Sequence, residues 1–572
     1  MRGFYMAGDK IGYRLFDVIL ISSACCALYF LELGNAPFFD KQEPREALVV
    51  WEINHSGNWI LPMRNGNEIP SKPPLYHWLA ALVSQAVNEL DEFTVRFPSA
   101  FFGTAGVLLT YFAGASLWGR GAGLVSAMVL ATSFEWQQAA KAARVDMTLT
   151  FVMLCAFLYF AWLYRSGGGR MKSLVLGIFL GLAALAKGPL GVVVPGFAYL
   201  MFLWLRRDLA FVKKLHPFVL LGTCGVVAGS WYALALLQGG KDFLAVVIKE
   251  NFSTVVGAEA GHPHPFFWYL LAFLENAAPW SLFLVPVAVW LYRSRRQLDQ
   301  EGLLYFVVWF SAGLVFFSVF KQKRSVYILP LYPAFALLVG VWCQKLADAT
   351  ASFARFLAKP VAYLNAAVFL LFSVASLLQA APGLVKLVSS ELYPKDQAQF
   401  LIVGDLLSQQ RSAVFLWAIL SALGGLLLVA FATKDAWQAY FGCTGALMVV
   451  SLVFVQRFDT DLARRYSFKQ FTQHVLSTVK DKPLYFYRSG DFGVTFYADR
   501  RLPIYTNSFT GEHSPFYLLC WENDWKRIRD RRGVTLEYAS ENIDRQIPER
   551  GRLYLVEVNG PDKPRTALGR NA

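Results

Sequence analysis

Four groups of ionisable residues interrupt a chain that is otherwise mostly apolar, and each carries a different possible chemistry. The first is acidic. Asp40, Glu43 and Glu46 follow the first long apolar run, within FDKQEPREALVVWEINHSGNWILPMRNGNEIPSKPPLYHW (39–78). Acids near a helix start are stabilised by the dipole alone. The same residue type serves as a general base that takes a proton from an acceptor hydroxyl, a contribution of about 10²–10⁴-fold. The second is Asp146 in AARVDMTLTF (142–151), at the mouth of a long apolar run, with Arg144 as a nearby partner. A carboxylate at the edge of hydrocarbon is costly unless paired or functional.

The third group is basic: Lys321, Lys323 and Arg324 in KQKR (321–324), joined by Arg45 and Lys72 of the opening stretch and by Lys187 of the Lys187-Gly188-Pro189 break. A lone lysine at such a position snorkels to headgroups. Collected on one side of a membrane, cations form a receptor for phosphate, where charge-assisted bonds are strongest and arginine binds in bidentate fashion. The fourth is GHPHPFFWYL (261–270), with His262 and His264 on either side of a proline. They do not share a helix face and have no evident carboxylate companions, so no metal site is expected. They read first as interfacial histidines, with substrate contact as the alternative role, which Tyr327 beyond the basic run shares. No cofactor is expected either; a divalent-metal requirement is left open.

The elements that position these residues are apolar. The chain has 572 residues, 56% hydrophobic and 16% charged, and a mean hydropathy of +0.39, far from average soluble usage. It reads as a polytopic membrane protein. The net charge of +14 follows from basic cytoplasmic loops facing anionic headgroups, and without a basic stripe on a soluble domain nucleic-acid binding is excluded. The seven cysteines show no C-x-x-C pair. Only Cys520 falls in the polar tail, so that tail holds no internal disulfide. Arg2, Lys10 and Arg14 precede the first apolar run without a small-residue cleavage site, and the run reads as an uncleaved first helix.

A crossing helix needs roughly 20 apolar residues. Candidate spans are 15–33, 97–117, 121–136, 146–164, 173–187, 189–205, 217–237, 267–291, 302–320, 325–343, 360–380, 412–432 and 436–456, about thirteen in all. With the N-terminus cytoplasmic, Arg120, Arg165, Arg170, Lys172, Arg206, Arg207, Lys213, Lys214, Arg293, Arg295, Arg296 and Lys345 fall on the cytoplasmic side, as positive-inside bias requires. The loops 34–96, 238–266 and 381–411 and the tail then face outward, and so do the candidate acids and cations. In the first loop, 43–54 reads as a helix that opens on Pro44 and lays Ala47, Val50, Trp51 and Ile53 on the bilayer surface. Pro73-Pro74 opens a second short helix. The tail 457–572 turns charged, with short runs such as PLYFYR (483–488) and RLYLVEV (552–558), and reads as a small soluble α/β domain. The expected division is thus a membrane catalytic domain over 1–456, including the loop 34–96, and a periplasmic domain over 457–572.

Outward carboxylates together with outward cations point to transfer of a group held on a phosphorylated membrane lipid: the base deprotonates an acceptor hydroxyl and the cations stabilise the departing phosphate. An ionised phosphate acceptor needs no base. The stretch 43–78 quoted above, with RFPSAFFG (96–103), ARVDMTLTF (143–151), LAALAKGPLGVVVPG (182–196) and KQKRSVYILPLYPAFALL (321–338), resembles the bacterial aminoarabinose transferase and protein mannosyltransferase superfamily of GT-C membrane glycosyltransferases. The motifs occupy the first 340 residues in the expected order.

The resemblance implies a mostly α, polytopic inner-membrane fold with a periplasmic active site under the first loop. It also implies an undecaprenyl-phosphate sugar donor and inversion at the anomeric carbon, the acceptor being lipid A or another envelope glycan. In the family the first loop carries adjacent Asp-Glu; here the pair is Gln42-Glu43. Glu43 carries over as the catalytic acid, and Asp40 is the stand-in for the missing one. Asp146 matches the second acidic position, and Lys72, Lys187 and Arg324 match basic positions whose implied role is phosphate binding. The rival readings are a lipid-linked sugar flippase, for which midplane charge such as Asp17 and paired repeats would be expected, a protein O-glycosyltransferase, and a non-catalytic envelope scaffold.

Overall fold

The computed structural model describes residues 11–250, 264–296, 298, 302–346, 352–379, 404–505, 515–531, 533–544 and 547–559. All thirteen apolar stretches are helical over most of their length, as a chain in hydrocarbon requires, because only a helix satisfies every backbone group within its own segment. Among the described residues, seven helices are long and apolar enough to cross a membrane, or eight if the bent pair Trp268–Asn276 and Trp280–Arg293 counts as one span. Arg120–Ala131, Leu190–Leu205 and Leu303–Val319 are shorter apolar helices. The stretch expected to cross at 121–136 ends at Ala131, and a separate short helix, Phe134–Lys141, follows it.

The chain packs as two compact units, the first made of Met1–Leu33, Ser71–Leu79 and Arg96–Phe458, the second of Gly34–Pro70, Ala80–Val95 and Asp459–Ala572. The boundary therefore differs from the expected division at 456/457: most of the first loop packs with the tail.

In the first unit, close helix contacts depend on small residues. A Cβ on Gly191 would meet the Ala183 carbonyl carbon, so helix Leu190–Leu205 approaches the backbone of helix Arg170–Lys187. Charge inside the helices is paired. Asp17, fully buried, accepts from Arg120 Nη2 at 2.6 Å, Arg120 Nε at 2.7 Å and the Tyr111 hydroxyl at 2.7 Å. That fork removes the cost of a carboxylate in an apolar layer.

In the second unit, the tail forms a five-stranded mixed sheet, β1 (Leu484–Tyr487), β2 (Ile504–Tyr505), β3 (Phe516–Trp521), β4 (Val534–Ile543) and β5 (Arg552–Val558), in the order β2-β1-β3-β5-β4. β1 pairs in parallel with β2 and β3, whereas β5 pairs antiparallel with β3 and β4. Central strand β3 is buried along its whole length. Tyr517, Leu519 and Trp521 point into a core shared with Val475 and Val479, while Phe516, Leu518 and Cys520 face a second core with Ile528, the period-two alternation of a strand covered on both faces.

The helix expected at 43–54 exists as Gln42–Ser56. Its apolar residues do not lie on a bilayer surface: Ala47, Val50 and Ile53 are fully buried in the protein and Trp51 nearly so. The reason lies in the tail. Trp51 Nε1 donates to Asp499 at 2.6 Å, Arg501 forms a two-pronged bond with buried Glu52 at 3.0 and 2.8 Å, and Asn65 exchanges hydrogen bonds with the Leu502 backbone at 3.0 Å. The second expected helix runs Leu75–Val87.

Candidate functional site

Two helix ends in the first unit carry the central pair. Helix Val145–Arg165 starts after Arg144, whose extended backbone (φ −143°, ψ 151°) turns the chain, and so Asp146 lies in the first turn. Helix Arg170–Lys187 stops at Gly188, whose φ of 80° suits glycine, and Pro189 cannot continue it. Lys187 is therefore presented at a helix end, where it donates a hydrogen bond to Asp146. The two side chains are only 11% and 12% exposed, so the pair is largely withdrawn from water.

The KQKR run supplies the third wall. After Arg324 (φ −138°, ψ 140°) the chain enters the short helix Ser325–Leu331, and Tyr327 donates its backbone N–H to the Arg324 carbonyl at 3.0 Å. This turn puts the Tyr327 ring under Lys187, whose Nζ lies 4.4 Å from the ring centroid, a cation–π contact. The Arg324 backbone N–H is held by the Tyr269 hydroxyl at 3.3 Å, and the Arg324 side chain is exposed. Asp146, Lys187, Tyr327 and the Arg324 backbone thus form one continuous cluster.

Glu135 completes this cluster and was not singled out from the sequence. It lies on Phe134–Lys141, accepts a hydrogen bond from Ser325 Oγ at 3.3 Å and is 8% exposed. Burial pushes its carboxyl up to about 7, against the hydrogen bond from Ser325 and the charge of Arg144, while nearby Asp146 and Glu275 push it further up. The available signal was the position itself. An acid directly after an apolar stretch, in FEWQQAAK (134–141), matches the logic that drew attention to Asp146, but assigning 121–136 to one crossing hid it.

The remaining predicted cations have specific occupations. Lys72 Nζ pairs with Glu250 at 2.8 Å. Lys323 is 3% exposed, turns inward to donate to the Phe320 carbonyl and lies 5.8 Å from the Tyr269 ring centroid. Lys321 is exposed, and its carbonyl accepts from the His264 backbone N–H at 3.2 Å. The His264 ring stacks on Trp268 with centroids 4.4 Å apart, the packing of an interfacial histidine. His262 lies outside the described residues.

Asp40, Glu43 and Arg45 belong to the second unit. Asp40 Oδ1 accepts from the backbone N–H groups of Gln42 and Glu43 at 3.0 and 2.9 Å. It therefore satisfies helix-start donors, the structural role weighed against catalysis. Arg45 is bound to Glu46 at 2.7 and 3.1 Å. Glu43, in the first helical turn, is 7% exposed. Among the described residues, no group of three or more His, Cys, Asp or Glu side chains is arranged to hold a metal ion.

Residues 71–232 match the family model described as dolichyl-phosphate-mannose-protein mannosyltransferase. The chain is 29% identical over 419 residues, 72% of each chain, to an undecaprenyl phosphate-alpha-4-amino-4-deoxy-L-arabinose arabinosyl transferase of Erwinia tasmaniensis. It is 28% identical over 328 residues to an uncharacterized Aquifex aeolicus protein, spanning 56% of this chain and 63% of that relative's length. The crystal structure of ArnT from Cupriavidus metallidurans bound to undecaprenyl phosphate has the same fold: TM-score 0.74 and 18% identity, covering 94% of this chain and 97% of that one.

Proposed function

We propose that the chain is a membrane glycosyltransferase of the superfamily that includes the aminoarabinose and protein mannosyl transferases, and that it moves a sugar from undecaprenyl phosphate to lipid A. The observation that carries the reading is the Asp146–Lys187–Tyr327 cluster joined to Arg324, in a chain whose Erwinia tasmaniensis relative is a transferase using an undecaprenyl phosphate sugar.

In this mechanism the bond between the anomeric carbon and the donor phosphate oxygen breaks, and a bond from that carbon to an acceptor oxygen forms on the opposite face. The charge that develops on the departing polyprenyl phosphate needs cations. Lys187 and Arg324 supply them, and Tyr327 keeps Lys187 aimed by holding the ammonium over its ring. Asp146 acts on Lys187: ion-paired to it, the carboxylate orients the lysine rather than waiting as a free base. This division of labour suits an ionised phosphate on the acceptor, which attacks without losing a proton, and lipid A carries such groups. Glu43 stays the candidate acid of the first loop, on the strength of the resemblance. The multi-pass chain lies in the bacterial inner membrane; thirteen crossings, with the first loop and the tail on the periplasmic side, agree with the basic loops.

A flippase reading loses its motivating residue, because Asp17 is closed off by Arg120 and Tyr111. The test supplies purified chain with undecaprenyl-phosphate-linked aminoarabinose and lipid A and follows the acceptor by mass spectrometry. A mass increase of one sugar on lipid A is expected. Unmodified lipid A in vitro, together with an unchanged envelope lipid profile in a deletion strain, would overturn the reading.

A further inference from the structure

A cavity of the first unit lies at the opposite ends of the helices from Asp146 and Lys187. It has a volume of about 660 Å³ and is walled by the ends of helices Glu92–Trp118, Val145–Arg165 and Leu190–Leu205 and by the start of Leu303–Val319. Three arginines line it, Arg14, Arg165 and Arg206, and no acidic residue does. Among the described residues, Arg14 and Arg165 make no ion pair. Arg206 lies 5.7 Å from the Tyr164 ring centroid, and Tyr164 donates its hydroxyl to Asp208 at 3.0 Å. Gly302, at φ 70°, lets the Arg165 guanidinium pass directly against its backbone, where any Cβ would collide with it.

Apart from Ser116 and the tyrosines Tyr111, Tyr164 and Tyr305, the rest of the wall is apolar, and it is open at the side. Phe112 and Trp162, both lining it, are 46% and 42% exposed, as expected of side chains that meet lipid. The volume suits a ligand of ordinary size. A cavity with a mostly apolar, laterally open wall and a ring of arginines at the helix ends matches one chemistry: a phosphate headgroup with an acyl chain attached. Basic pockets between membrane helices hold such headgroups, and guanidinium groups bind phosphate in bidentate fashion.

We propose that this cavity is a binding site for an anionic phospholipid. Its headgroup phosphate sits among Arg14, Arg165 and Arg206, and one acyl chain lies along Phe112 and Trp162. The site is separate from the proposed sugar-transfer cluster. With the N-terminus cytoplasmic, it draws its lipid from the inner leaflet.

The full-length protein in nanodiscs, or released from micelles into a native mass spectrometer, is titrated with phosphatidylglycerol, phosphatidylcholine and inorganic phosphate. Phosphatidylglycerol should be retained in preference to phosphatidylcholine, and inorganic phosphate should not displace it. Each basic group near such a headgroup is worth about fivefold, so Arg165→Gln should weaken retention about fivefold and Arg165→Gln with Arg206→Gln roughly thirtyfold. Ala161→Phe, which fills the cavity while keeping every arginine, should weaken it as well, and Arg207→Gln, outside the cavity, should not. Equal retention of the two lipids, efficient displacement by inorganic phosphate, or full retention by the Ala161→Phe and double-arginine variants would overturn the proposal. If the double variant does not fold, Ala161→Phe and the wild-type lipid preference decide alone.

Discussion

The Asp146–Lys187 pair makes the sharpest demand on the site. Asp146→Asn keeps the shape of the side chain and removes its charge, leaving Lys187 as a cation only 11% exposed. Deleting one partner of a buried pair costs about 3–5 kcal/mol, because the survivor is left uncompensated; the contact with Tyr327, worth about 1 kcal/mol, offsets part of that. A loss near the low end, about 3 kcal/mol, is expected for Asp146→Asn, and Lys187→Gln should lose a similar amount. The double variant, with neither charge, should be more stable than the sum of the two single losses predicts, by on the order of 2 kcal/mol. Thermal unfolding of the detergent-solubilised protein reads the coupling, and sugar transfer from labelled donor reads function in the same samples. All three variants should lose transfer, since each removes or releases Lys187. Additive stability losses would refute the pairing, and an Asp146→Asn protein with wild-type melting and turnover would refute its role.

Glu135 adds a pH dependence. Its carboxyl titrates near 7 when folded against 4.5 as the ordinary value, so the folded state binds more protons across that window. Stability therefore falls as pH rises from the ordinary value to the folded one and is level above it, by at most roughly 3 kcal/mol. Glu135→Gln should raise the melting temperature at about pH 8 and leave it nearly unchanged at about pH 4.5; a gain equal at both would remove the buried-acid account. Glu43→Gln should lower the transfer rate by more than any loss of folded protein accounts for, and full activity would end the case for Glu43. Arg324→Ala should weaken donor binding by about tenfold, the loss of one charge-assisted bond, and leave acceptor affinity unchanged. Separate binding isotherms for the two substrates check this, and equal losses on both would argue against phosphate recognition.

The basic loops and apolar runs were legible because they are local. A run of apolar residues must be helical in hydrocarbon whatever its neighbours do, and the clustering of arginine and lysine between runs does not depend on tertiary contacts. The same holds for single signals: Lys187-Gly188-Pro189 ends a helix by backbone conformation alone, and the alternation in RLYLVEV becomes β5. The candidate acids were legible as candidates for a similar reason, since each interrupts an apolar pattern.

Tertiary structure decided what those residues do. Asp40 serves the helix start through contacts two and three residues away, whereas Glu52 of the same helix is held by distant Arg501. Helix Gln42–Ser56 has an apolar set that fits a bilayer surface as well as a protein core, and only partners some 450 positions away, Asp499 and Arg501, draw it into the core. Tyr327 meets Lys187 because a turn after Arg324 directs it there. Glu135 gains its raised carboxyl only once helix Phe134–Lys141 is folded against Ser325. By itself the sequence determined which segments are helical and which residues are charged, since both are properties of short windows. Pairing, burial and the raised carboxyl arise from long-range contacts, and no window of sequence contains both partners.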